Sequence, residues 1–116
     1  MEKRIFSKTV EISDEFKANR RKIYDYTFDT FGFLQAERYL QKILDLLETL
    51  SSYYTFYPEC RHLQTKNRIY RNIILDAHLI IFRITDKRIE VLDIIHSSSS
   101  IKKIKETRKI KFKKTY

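Results

Sequence analysis

Four polar side chains in the second half of the chain could cleave RNA without a metal ion. Glu90 or His96 could take the proton of a ribose 2′-hydroxyl, or could protonate the leaving oxygen. Arg68 and Arg83 could hold the phosphate through paired hydrogen bonds and offset its developing charge. Tyr70 could stack on a base. The residue types therefore allow a ribonuclease, provided that the fold brings them together.

The same residues also have a structural explanation. If Arg83 and Glu90 lie opposite each other on neighbouring strands, they form an ordinary cross-strand ion pair. A histidine at the end of a strand, such as His96, is more often structural than catalytic. The sequence leaves both explanations open.

The sequence gives little evidence for a metal site, an internal disulfide or a membrane-spanning segment. His62 and His78 have no spacing that suggests a metal site or a catalytic triad. Cys60, the only cysteine, cannot form an internal disulfide and fits a reducing compartment. No apolar run approaches the roughly 18 residues of a membrane span, and residues 1–16 lack the apolar segment of a signal peptide. We expect a cytoplasmic protein with no metal, cofactor or small-molecule substrate.

The candidate residues lie on three predicted strands within residues 68–96. β-Branched and aromatic residues dominate this stretch, and polar breaks interrupt it at 76–77 and 86–87. Two-residue hairpin loops at both breaks would place Leu75 opposite His78 and fix the rest of the antiparallel register. A one-residue change in either loop would exchange the two faces of part of the sheet.

This register predicts two unlike faces. The mainly aliphatic face, which should meet the helices, carries Ile69, Arg71, Ile73, Leu75, His78, Ile80, Phe82, Ile84, Ile89, Val91, Asp93 and Ile95. The mixed face has Arg68, Tyr70, Arg83, Glu90 and His96 around an apolar patch formed by Ile74, Leu79, Ile81, Leu92 and Ile94. Because such a patch is seldom left bare, either the C-terminal segment or a partner protein should cover it. We predict that this patch and Tyr70 bind a partner.

Two helices should precede the sheet. Residues 3–12 are predicted as a first strand, and Ser13 as the N-cap of a helix that ends near Thr30. Gly32 should end that helix, and a second helix is predicted over 34–54. The apolar stripes expected to face the sheet are Phe16, Ile23, Tyr26 and Thr27 on the first helix and Ala36, Leu40, Ile43, Leu47, Leu50 and Tyr54 on the second.

The positive charge is concentrated at the C-terminus. Residues 1–100 hold 16 basic and 14 acidic side chains, a net charge of +2, whereas residues 101–116 hold 8 basic and one acidic, a net charge of +7. We expect one domain over 1–100 and a basic tail over 101–116, with a short helix at its start and a frayed remainder. The candidate nucleic-acid contacts are Lys102, Lys103, Lys105, Arg108 and Lys109. The alternative is a solvated tail, and deletion of 105–116 should leave the fold intact.

The order of these elements resembles the RelE/ParE family of toxins from bacterial toxin–antitoxin pairs. No single motif is specific, but the joint order and spacing over about residues 4–100 match. The resembling residues are Ile23, Asp25, Tyr26, Ala36, Tyr39, Ile43, Leu50, Pro58, Arg61, Ile81, Phe82, Arg83 and His96. The resemblance implies an α+β fold with an N-terminal strand, a helical hairpin, a three-strand antiparallel meander and a short C-terminal helix.

The resemblance implies a cytoplasmic toxin neutralised by a cognate antitoxin. The nuclease branch has an Arg where this chain has Leu79, and basic, Tyr or His residues where it has Ser97 to Ser100. The helical portion, with its Asp25-Tyr26 and Ala36-Tyr39 spacing, is more similar to the ParE branch, although the serines depart from that branch too. We therefore expect a ParE-like inhibitor of a large target, with DNA gyrase as the candidate. The alternatives are a RelE-like, ribosome-dependent mRNA endonuclease and a degenerate member without toxicity.

Overall fold

A computed structural model describes residues 7–112. A four-stranded sheet carries a helical hairpin on one face and a short C-terminal helix on the other. The elements are β1 (Thr9–Ile12), α1 (Asp14–Phe31), α2 (Phe33–Tyr53), β2 (Tyr70–Leu75), β3 (His78–Ile84), β4 (Arg88–His96) and α3 (Ile101–Glu106), with 3₁₀ turns at Tyr54–Phe56 and Thr107–Lys109. The predicted α+β fold is confirmed. None of the helices described is both long and apolar enough to cross a membrane.

Local signals set the limits of the helical hairpin, as predicted. The Ser13 hydroxyl accepts a hydrogen bond from the Phe16 amide at 2.9 Å and so caps α1. Gly32 separates the two helices at φ 92°, a conformation that favours glycine. The helices pack on the sheet through a cluster that includes Phe16, Ile43 and Leu50.

The strand order is β1-β4-β3-β2, and β1 runs parallel to β4. Both predicted hairpin loops are present, with Leu75 opposite His78 and Arg83 opposite Glu90. The predicted first strand began at residue 3; its described part is Thr9–Ile12, and residues 3–6 lie outside the described residues.

A β-bulge in β4 overturns part of the predicted face assignment. Phe82 pairs with Val91, but its neighbour Ile81 pairs with Asp93, so Leu92 is an extra residue. Beyond the bulge the alternation of side chains is reversed. Ile94 consequently packs against the helices, whereas the prediction had placed Ile95 there.

The other face of the sheet has a second core. Ile81, Leu92 and Ile95 pack there with Ile104 of α3. Thr107 is buried, and Ile110 and Phe112 are partly buried against the same cluster. The prediction that the chain frays after its final helix is therefore wrong for Ile110 and Phe112.

Candidate functional site

The apolar patch predicted to bind a partner is mostly covered by the chain itself. Ile81 and Leu92 are 0% exposed, because α3 and the loop that carries Cys60 and Leu63 pack over them. Of the two expected covers, the C-terminal segment is the one that the structure shows.

The remaining predicted partner residues have different positions. Ile94 is buried on the opposite, helical side of the sheet, so its assignment to the patch was wrong. Tyr70 and Leu79 are half-buried against the second core. Only Ile74, on the edge strand β2, is largely exposed, at 74%. A partner cannot contact the buried side chains of Ile81, Leu92 and Ile94 while the chain keeps this conformation.

Glu90 lies at the centre of a buried ion cluster. Its carboxylate accepts hydrogen bonds from Arg83 Nε at 2.8 Å and from Arg88 Nε and Nη2 at 3.0 and 2.7 Å. The side chain of Glu90 is only 8% exposed. The structural explanation, a cross-strand pair, therefore describes Arg83 and Glu90.

Arg83 also fastens the C-terminal segment to the sheet. Its guanidinium donates to the carbonyl oxygens of Arg108 and Ile110 at 3.2 and 3.4 Å and lies 5.9 Å from the centre of the Tyr70 ring. Burial by itself would lower the pKa of Arg83, but hydrogen bonds with Tyr70 and Glu90 and the charge of Glu90 raise it above its ordinary value. The arginine is therefore a permanent cation.

The candidate ribonuclease residues do not form one site. Glu90 and His96 are six positions apart on β4, a separation of roughly 20 Å in an extended strand. The His96 ring nitrogen Nδ1 instead accepts a hydrogen bond from the Ser98 amide at 3.1 Å. Arg68 lies before β2 and pairs with Glu59 at 3.8 Å. These positions prevent Glu90 and His96 from acting as base and acid on one phosphate.

A second cluster joins the helical hairpin to the β2–β3 turn. The Tyr39 hydroxyl lies 3.0 Å from the Leu75 carbonyl oxygen and 2.6 Å from His78 Nδ1. His78 is opposite His96, with their ring centres 5.8 Å apart. Burial, and secondly the charge of Asp76, raise the pKa of Tyr39 to about 12. Tyr39 is therefore a neutral structural link at physiological pH.

We expect His78 to make the fold sensitive to acid. Burial, followed by the nearby His96, lowers the pKa of His78 below its ordinary value of 6.5, although Asp76 acts in the opposite direction. The unfolded chain therefore binds a proton that the folded protein resists, so stability falls as the pH drops through about 6.5. Urea unfolding between about pH 7 and pH 5 should show a shallower pH dependence for His78→Gln than for the wild type. A His62→Gln control should keep the wild-type slope, and an unchanged slope in His78→Gln would contradict the assignment.

The helical hairpin exposes an aromatic surface that the predicted stripes missed. We call it the hairpin-tip patch; it consists of Tyr26, Phe28, Phe31, Phe33 and Leu34, which are 45–67% exposed. Tyr26 was predicted to face the sheet but is 66% exposed. The sequence signal that could have revealed this patch is the number of apolar residues on both sides of Gly32. Because exposed apolar patches are typical of interaction surfaces, this patch is a candidate contact surface.

The described residues contain no group of three His, Cys, Asp or Glu side chains placed to hold a metal ion. Cys60 is buried, and burial raises the pKa of its thiol. A buried thiol with a raised pKa is a poor nucleophile.

Comparison with known proteins identifies the family. No curated protein matches the chain. In a solved structure described as the chromosomal ParDE toxin–antitoxin system from P. aeruginosa, one chain shares the fold with a TM-score of 0.65 and 19% sequence identity, over 78% of this chain and 97% of that one. Residues 10–101 match the family model of the ParE toxin of the type II toxin–antitoxin system parDE. The chain therefore belongs to the ParE toxin family of type II toxin–antitoxin systems.

Proposed function

We propose that this ParE-type toxin inhibits its target in the cytoplasm by protein–protein contact, that the target is DNA gyrase, and that a cognate antitoxin neutralises it. The observation that carries the proposal is the cluster at Glu90. A general base must be free to accept a proton, whereas this carboxylate already accepts three hydrogen bonds from Arg83 and Arg88. The arrangement favours an inhibitor over the alternative, an mRNA endonuclease that uses Arg68, Arg83, Glu90 and His96.

The hairpin-tip patch supports a protein as the partner. Phe28 and Phe33 are in edge-to-face contact, with ring centres 6.4 Å apart, and Phe31 and Phe33 remain 67% and 60% exposed. Exposed aromatic side chains are enriched among the residues that dominate binding at protein interfaces. We infer that gyrase contacts this patch.

Inhibition of gyrase can be measured directly. Purified protein should block DNA supercoiling by gyrase, and its induced expression should stop growth while primer extension shows intact mRNA. Phe31→Ser/Phe33→Ser should weaken the inhibition at least tenfold, because it removes the exposed rings. Phe56→Ser removes an aromatic side chain that is 76% exposed outside the hairpin-tip patch and should leave inhibition unchanged.

The competing functions give different results. Transcripts that are cleaved in translating cells, but not when His96→Ala is expressed, would establish the endonuclease and refute the inhibitor. Normal growth on expression would refute both and favour a degenerate member without toxicity. Co-expression of the neighbouring small acidic reading frame, if one is present, should restore growth if it encodes the antitoxin.

A further inference from the structure

We propose that the protein binds single-stranded nucleic acid along a basic track that crosses α3. This track consists of Arg61, His62, Lys102, Lys105, Arg108 and Lys109. A depression of about 390 Å³ between the 61–65 loop and α3 is lined by Arg61, His62, Lys105 and Arg108. A second of about 390 Å³ is lined by Lys102, Lys105, Arg108 and Lys109. Because Lys105 and Arg108 line both depressions, the two form one continuous path.

The cations of the track are available for phosphate. Within residues 7–112 the ion pairs involve none of Arg61, Lys105 and Arg108, and all three are exposed. Among the described residues that line the two depressions, Glu106 is the only acidic one. Three cations with one neighbouring acid produce a positive field that attracts a polyanion.

The backbone beneath these side chains is held in place on both sides of the first depression. On the loop side, the Cys60 amide donates to the Tyr70 carbonyl at 2.9 Å, and the Thr65 amide donates to the Glu59 carboxylate at 3.1 Å. On the other side, the Arg108 carbonyl accepts from Arg83 at 3.2 Å. The track is therefore part of the folded structure, whereas a charged tail would have to be ordered on binding.

The shape of the first depression favours a single strand over a duplex. Arg61 and His62 line it from the loop, Lys105 and Arg108 line it from the C-terminal segment, and the half-exposed ring of Tyr70 also belongs to its lining. An unpaired base can contact apolar and aromatic side chains while its phosphates meet the cations. The bases of a duplex are stacked inside and cannot make that contact.

Lys103, one of the candidate nucleic-acid contacts predicted from the sequence, is not part of the track. It does not line either depression. Its charge instead acts on Asp93, whose pKa is raised mainly by burial and is lowered in part by Asn19 and by Lys103. We therefore assign the contacts to the track residues and not to every lysine of α3.

Fluorescence anisotropy of labelled oligonucleotides tests the proposal with the full chain. The probes are a 12-nucleotide oligouridylate, the matching oligothymidylate and a 12-base-pair duplex, with salt varied between about 50 and 200 mM. Both single strands should bind more tightly than the duplex. The triple variant Arg61→Gln/Lys105→Gln/Arg108→Gln should bind single strands at least tenfold more weakly. Its slope of log K against log salt should be shallower by about 2, because each phosphate that is neutralised on a single strand contributes about 0.7 to that slope.

Two control proteins separate a site from net charge. Lys17→Gln/Lys22→Gln/Arg38→Gln removes the same charge from exposed positions on the helical hairpin and should change affinity less than threefold. Arg61→Lys/Lys105→Arg/Arg108→Lys keeps the charge and should keep the binding. Equal losses of affinity in the two neutralised proteins, tighter binding of the duplex or no binding by the wild type would each overturn the proposal.

Discussion

Replacing Glu90 by alanine should destabilise the fold by about 3–5 kcal/mol, the usual cost of breaking a buried ion pair by removing one partner. The carboxylate holds Arg83 and Arg88 together, and both arginine side chains are mostly buried, at 18% and 30% exposed. Its loss leaves two like charges without their shared counterion. Arg83 would also hold the segment around Arg108 less firmly, because its guanidinium would lose its anchor.

Urea unfolding at constant pH measures this change in the free energy of unfolding. Glu48→Ala, at an exposed position of α2, is the matched control and should change stability by less than about 0.5 kcal/mol. A loss below about 1 kcal/mol for Glu90→Ala would show that the pair behaves as a solvent-screened surface pair. If Glu90→Ala also reduces growth arrest, the reduction should match the loss of folded protein.

The helices were predictable because their limits depend on adjacent residues. Ser13 caps the helix that begins one position later, and its bond to the Phe16 amide spans three residues. Gly32 was the only glycine, and it takes the positive φ that ends α1. Such signals act within one turn of the chain and can be identified without tertiary structure.

The bulge in β4 could not be predicted in this way. A hairpin loop fixes the register outward from the turn, and that register holds as far as Val91. Leu92 is hidden in an apolar run in which any residue could be the extra one. The structure positions it through a distant contact, since the Ser13 side chain donates to the Leu92 carbonyl from 79 residues away. Long-range contacts of this kind leave no local pattern.

The sequence predicted the apolar patch of the candidate site but not which segment of the chain covers it. Alternation of side chains identified an apolar patch that includes Ile81 and Leu92, and both do lie in the second core. The sequence could not decide what covers the patch, because the tail is strongly charged and its few apolar residues, such as Ile110, have no clear periodicity. The hairpin-tip patch was missed because a helical stripe was assumed to have a single partner, the sheet.

Removing residues 105–116 should destabilise the protein by about 2–4 kcal/mol, contrary to the expectation from charge alone. The deletion takes away buried Thr107 and partly buried Ile110 and Phe112. Each apolar side chain, when fully buried, contributes about 1.5–3 kcal/mol, and the entropy of ordering the segment offsets part of that sum. Arg83 also loses the carbonyl oxygens of Arg108 and Ile110.

A charge-only control shows which property of this segment matters. Lys105→Gln/Lys109→Gln/Lys111→Gln keeps the apolar side chains and the two carbonyl acceptors, and these three positions are exposed. In urea unfolding it should stay within about 1 kcal/mol of the wild type, while the truncated protein unfolds at lower denaturant. Equal stability of the truncated and full-length proteins would mean that the segment does not hold the second core closed. A loss of stability in the truncated protein alone would show that the segment packs on the sheet through its apolar residues and its backbone. Its positive charge would then contribute little to that packing.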